Sequence, residues 1–156
     1  MFIRKKNDKG VTLIELVIVL VIIAILAVLM VPNIGAWLPN YRLRSATRDV
    51  VSTLRMAQAK AVSNNTQYRV NFNAAEIGAA NSYLLQHKTG GLWVSDGALQ
   101  TLPTGISMSV GLLPNGRAEF NPDSTSSAGS VTLQNARGMQ KQISLTSGTG
   151  RIRSDP

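Results

Sequence analysis

The chain has 156 residues, a net charge of +8, one histidine and no cysteine. The missing cysteine excludes a disulfide framework and a thiolate metal site; the lone His87 supports neither a histidine metal cluster nor a Ser-His-Asp constellation, leaving no sign of a catalytic site, cofactor or metal. Much of the charge is local. Residues 1–10 hold Arg4, Lys5, Lys6 and Lys9 against Asp8, so the rest carries +5, a balance that suits anionic lipid, nucleic acid or an ordinary basic surface alike.

After this cationic segment, only Thr12 and Glu15 are polar between Val11 and Val31. As a helix rising about 1.5 Å per residue, residues 11–31 match a hydrocarbon core of about 30 Å. A cleaved secretory signal fits less well. Its apolar stretch is shorter, roughly 7–15 residues, and Ile34-Gly35-Ala36 puts a bulky residue where a cleavage site needs a small one. The basic residues before the span keep the N-terminus cytoplasmic and export the remainder, with Arg42, Arg44 and Arg48 beyond it pulling weakly the other way. Trp37 is placed to anchor at the interface; the three arginines read as a solvated helix face, with lipid headgroups as the alternative.

Pro32 and Pro39 flank Gly35 and predict a kink or loosened turn. Helical patterning then resumes, with Leu43, Thr47, Val50, Leu54, Ala57 and Ala61 at steps of three and four. Asn64-Asn65 predicts the C-cap. The period then changes to two: Tyr68, Val70 and Phe72 alternate with Gln67, Arg69 and Asn71, as in a half-buried strand. Further strands are expected at Tyr83–His87, Leu92–Val94, Ile106–Val110, Arg117–Phe120, Val131–Gln134, Gln142–Leu145 and Gly150–Arg153. Turns are expected at Gly90-Gly91, Pro114-Asn115-Gly116 and Arg137-Gly138, with an exposed loop at Asn121–Gly129. The expected fold class is α+β: a long N-terminal helix, transmembrane then amphipathic, packed on a C-terminal antiparallel sheet. The expected division is 1–10, 11–31, 32–65 and a β-rich domain at 66–156.

Glu15 is the oddity. An acid at mid-helix in a membrane costs about 2.5 to 3.5 kcal/mol, and less near the helix end. Cleavage after Gly10 would create an amine at Val11, cationic at neutral pH, able to neutralise Glu15 within one subunit or between neighbours. Glycine there also lets a protease approach the backbone. The alternative is a signal anchor that merely contains a glutamate.

The block Lys9-Gly10-Val11-Thr12-Leu13-Ile14-Glu15-Leu16 resembles the leader of type IV pilins and type II secretion pseudopilins. The resemblance implies cleavage after Gly10 by a prepilin peptidase, N-methylation of Val11 and a docking role for Glu15. Pro32 matches a proline at which pilin helices loosen within the filament. Val11 departs from the phenylalanine most members carry. Arg42–Asn65, Gln67–Asn73 and Gly148–Arg153 resemble the FimT/GspH group of minor pilins and pseudopilins. That implies a non-enzymatic subunit of the bacterial inner membrane, its C-terminal domain periplasmic, later built with other pilins into a pilus or pseudopilus.

The ending Gly150-Arg151-Ile152-Arg153 is similar to a Gly-Arg-x-Arg motif tied to DNA binding in FimT-type pilins. In a strand, Arg151 and Arg153 share one face and can meet successive phosphates. The competing reading is an edge strand kept soluble and unpaired by its arginines. Arg117, Arg137 and Lys141 are candidates to extend the patch. His87 is expected at the sheet surface, and Trp93 as packing or turn structure.

Overall fold

The computed structural model describes residues 10–155, apart from the side chains at 29–34 and 36. The cationic leader before Gly10 and the Pro32 side chain therefore lie outside the described residues. The chain divides into two units, Met1–Trp37 and Leu38–Pro156. Helix α1 (Leu13–Ser63, 51 residues) contributes to both.

In the first unit every described side chain from Val11 to Val28 is exposed, with Leu13 at 82% and Val28 at 72%. Among the described residues no helix is long and apolar enough to cross a membrane; side chains 29–31, the end of the expected span, lie outside the described residues. The prolines do not break the helical assignment. The backbone is helical at every residue from Leu13 to Ser63. Proline removes one donor and crowds one carbonyl, a local cost that the turns on either side can carry.

In the second unit α1 buries the stripe read from the sequence. Leu43, Val50, Leu54, Ala57 and Ala61 are fully buried, joined by Ala46. Thr47 belongs to it by returning its hydroxyl to the Leu43 carbonyl at 2.8 Å, which satisfies a polar group that burial would otherwise penalise. The helix ends as expected. Asn65 takes a left-handed φ of 49°, and the amides of Thr66 and Asn65 reach back to the carbonyls of Ala61 and Val62, the paired bonds of a Schellman cap.

Nine strands follow: β1 (Tyr68–Asn71), β2 (Ser82–Thr89), β3 (Leu92–Ser95), β4 (Gln100–Thr101), β5 (Ile106–Gly111), β6 (Arg117–Phe120), β7 (Gly129–Asn135), β8 (Gln140–Thr146) and β9 (Arg151–Ser154). They form two antiparallel sheets where one was expected. The first runs β3-β2-β1-β6, with β4 also paired to β2; the second runs β5-β7-β8-β9. Val70, Phe120, Val131, Leu133, Ile143 and Leu145 from the two sheets share one core with the α1 stripe.

Strand β1 is not half-buried. It is flanked by β2 and β6, and Arg69 and Asn71 are buried along with Tyr68 and Val70. What covers its polar face is a single helical turn, α2 (Ala74–Ile77), capped by Asn73 at its start and by Gly78 in a left-handed conformation at its end. This turn carries Glu76. The Arg69 guanidinium donates to Glu76 at 2.7 Å and to Gln86 at 2.7 Å, and lies 4.3 Å from the centre of the Trp93 ring. Trp93 is thus packing, as expected. His87 is half-buried rather than at the surface, its ring 5.7 Å from that of Tyr68.

Candidate functional site

Two regions singled out in the sequence can be placed. The first surrounds Gly10. Gly10, Val11 and Thr12 precede the helix, and Gly10 is exposed, with no described atom within 4 Å of where a β-carbon would stand. Thr12 is the residue at which the helix starts: its hydroxyl accepts the Glu15 amide at 3.3 Å, and its carbonyl accepts the Leu16 amide at 3.2 Å. Thr-Leu-Ile-Glu is therefore a capping-box sequence, with Glu15 at the third helical position. That signal is legible in the sequence, as a threonine and a glutamate three residues apart at the head of an apolar run. An acid in the first turn also meets the positive end of the helix dipole. Glu15 accordingly has a local reason to sit where it does, independent of any partner.

The second region is β9. The register pairs Arg151 with Thr146, Ile152 with Leu145 and Arg153 with Ser144. Ile152 packs against the core, while Arg151 and Arg153 are exposed together on the outer face. Neither forms an ion pair among the described residues. Across that face the strands present Ser107, Ser109, Thr132, Gln134, Gln142 and Ser144, uncharged polar groups throughout. Gly150 is buried at the entry to β9 with φ of 60°, and a β-carbon there would strike the Gln58 side chain and the Ser124 carbonyl. The glycine of the motif is thus required for the chain to pass against α1 and turn into the strand.

The residues proposed to extend this patch do not gather beside it. Arg117 lies in the other sheet, where it donates to Glu76 at 2.6 and 2.9 Å. Lys141 projects to the opposite side of β8, in a cleft it shares with Arg44 and Arg48. Arg137 lies in the turn between β7 and β8, outside the β8 residues that pair with β9. A further ionic contact, Lys60 to Asp96 at 2.9 Å, ties the last turn of α1 to the loop after β3. The hydrogen bond between them holds the Asp96 carboxyl below its usual range and raises the Lys60 ammonium. Among the described residues no group of three acids or histidines could hold a metal ion.

The N-terminal segment and the fold of the second unit resemble those of type IV pilin-like proteins. The N-terminal segment matches the prokaryotic N-terminal methylation motif over residues 5–31. The fold is that of minor pilins and pseudopilins. It resembles the minor pseudopilin EpsH from the type 2 secretion system of Vibrio cholerae, with a TM-score of 0.62 and 10% identity, covering 73% of this chain and 96% of that one. It also resembles the type IV minor pilin FimU of Pseudomonas aeruginosa strain PAO1, with a TM-score of 0.59 and 15% identity, covering 75% of this chain and 90% of that one. At these identities the likeness is one of fold. A comparison with curated protein sequences finds no match.

Proposed function

We propose that this chain is a minor subunit of a type IV pilus or a type II secretion pseudopilus, structural rather than catalytic. It is made as an inner-membrane prepilin, cut after Gly10 by a prepilin peptidase and methylated on the Val11 amine, with its C-terminal domain in the periplasm. The observation that carries this reading is the run Val11–Val28, exposed throughout and interrupted only by Thr12 and Glu15. Burying each such aliphatic side chain is worth about 1.5 to 3 kcal/mol, so the helix calls for lipid first and for the helices of other subunits afterwards. Glu15 then pairs with the Val11 amine, its own or a neighbour's, and sets register. Pro32 is the place at which the helix would loosen on assembly.

The test separates the two roles of Glu15. Glutamine suits the third position of a capping box as well as glutamate does, so Glu15→Gln removes the charge and keeps the cap. Glu15→Gln and Glu15→Val are both expected to insert and to be cleaved, measured by membrane fractionation and by the mass of the mature chain. Both should fail to enter sheared filaments. Normal incorporation of Glu15→Gln would end the docking role and leave Glu15 as a capping residue.

A second reading is favoured by Arg151 and Arg153, two exposed guanidiniums on one face without ion-pair partners among the described residues. In this reading the subunit captures DNA for uptake. Each phosphate contact contributes about 0.9 to the log–log dependence of affinity on salt. Replacing both arginines with glutamine should therefore lower that slope by about 2, and an unchanged slope would refute the role.

A further inference from the structure

Three exposed arginines of α1 remain outside both readings. Arg44, Arg48 and Arg55 are spaced i, i+4 and i+11, which places them within about 40° of one another around a helix of 3.6 residues per turn. All three are exposed, and none forms an ion pair among the described residues. Arg48 and Arg55 line a cleft of about 350 Å³ between α1 and Ser154, at the end of β9. An adjoining cleft of about 300 Å³ adds Arg44 and Lys141, with Asp155 as its one acid. The Lys141 ammonium donates to the backbone carbonyl of Asp155 at 3.4 Å.

The arginines follow the helix axis at intervals of about 6 and 10 Å. That is too far apart to close on one small anion, and it suits a ligand whose charge repeats along its length. Strand β9 supplies the rest of the geometry. It is the edge strand of its sheet. Arg151 and Arg153 stand on its outer face, about 6.6 Å apart at 3.3 Å per residue, while the helix row and Lys141 stand on its inner side. The edge thus carries cations on both flanks.

We infer that the α1–β9 cleft is a second phosphate-binding row of one nucleic-acid surface. Arg44, Arg48 and Arg55 take backbone phosphates on one side of the β9 edge, and Arg151 and Arg153 take them on the other. The inference rests on the DNA reading of Arg151 and Arg153 and extends it to residues that share no motif with them. Lys141 adds to the field of the helix row, and Asp155 fixes the lysine by its backbone.

The experiment uses the full chain in a zwitterionic detergent with a labelled DNA duplex, followed by anisotropy over a salt series. The variant R44Q/R48Q/R55Q should lower the slope by about 2 to 3 and weaken binding at least about 10-fold at low salt. R44K/R48K/R55K, which keeps the charges, should retain most of the parental slope. With R151Q/R153Q added to the glutamine variant, binding should be all but lost. A parental slope in the helix variant, with a reduced slope in R151Q/R153Q, would overturn the second row and leave the DNA reading intact. No binding by the parent would end both. Binding to phosphatidylglycerol vesicles, lost in the helix variant while duplex binding persists, would assign the cleft to lipid headgroups and also overturn the proposal.

Discussion

Arg69 is 3% exposed, and an uncompensated charge at such a depth would cost several kcal/mol. Burial lowers its pKa, and Glu76 opposes that shift, so the guanidinium keeps its charge. Burial in turn disfavours the Glu76 carboxylate, but Arg117 and Arg69 together more than offset it and hold the group below its usual range. Glu76→Ala should cost about 2 to 3 kcal/mol in urea unfolding, toward the low end for a buried pair because Glu76 itself is 32% exposed. A depressed carboxylate pKa stabilises the fold above the unfolded value of about 4.3 and ceases to do so as pH falls through the folded one. The difference between parent and variant should therefore be full near neutrality and shrink on acidification below that value. A constant difference would show that lost packing, not lost charge, sets the cost.

At the scale of elements, β9 depends on Gly150. Gly150→Ala meets both a left-handed backbone and the crowding of Gln58 and Ser124, and should cost about 2 kcal/mol or more. Because β9 is an edge strand, faster hydrogen exchange should appear first in its amides and in the facing amides of β8, with β1 and β2 unaffected. Uniform exchange through both sheets would refute a local role. The elements that could be read from sequence were those with a period. The α1 stripe, the Asn65 cap and the strands at 82–89, 106–111, 117–120 and 129–135 follow from apolar spacing and turn residues. Two elements without a period escaped. Strand β4 is two residues long, and α2 is one turn whose Asn73 and Gly78 caps frame too few residues to show a helical repeat. Strand β1 misled for another reason. Alternation reports which side chains are polar, and a polar side chain is buried when a partner such as Glu76 comes from elsewhere in the chain.

Over the whole molecule, the number of sheets was the feature least legible in the sequence. Each strand announces its own faces but not its neighbours, and the pairing of β1 with β6 joins residues some fifty positions apart. The site behaved similarly: Arg151 and Arg153 fall together because two residues on a strand must, whereas Lys141 and Arg117 were sent elsewhere by register. The distribution of burial has a genetic consequence. Every buried apolar residue of the described chain lies between Leu43 and Leu145, inside the second unit, while the first unit is exposed from Val11 to Val28. Lesions will accordingly sort into two phenotypes. Substitutions at Val50 or Phe120 should lower the amount of protein that survives proteolysis in the cell. Substitutions at Glu15 should leave that amount unchanged and alter only what the surviving protein becomes part of.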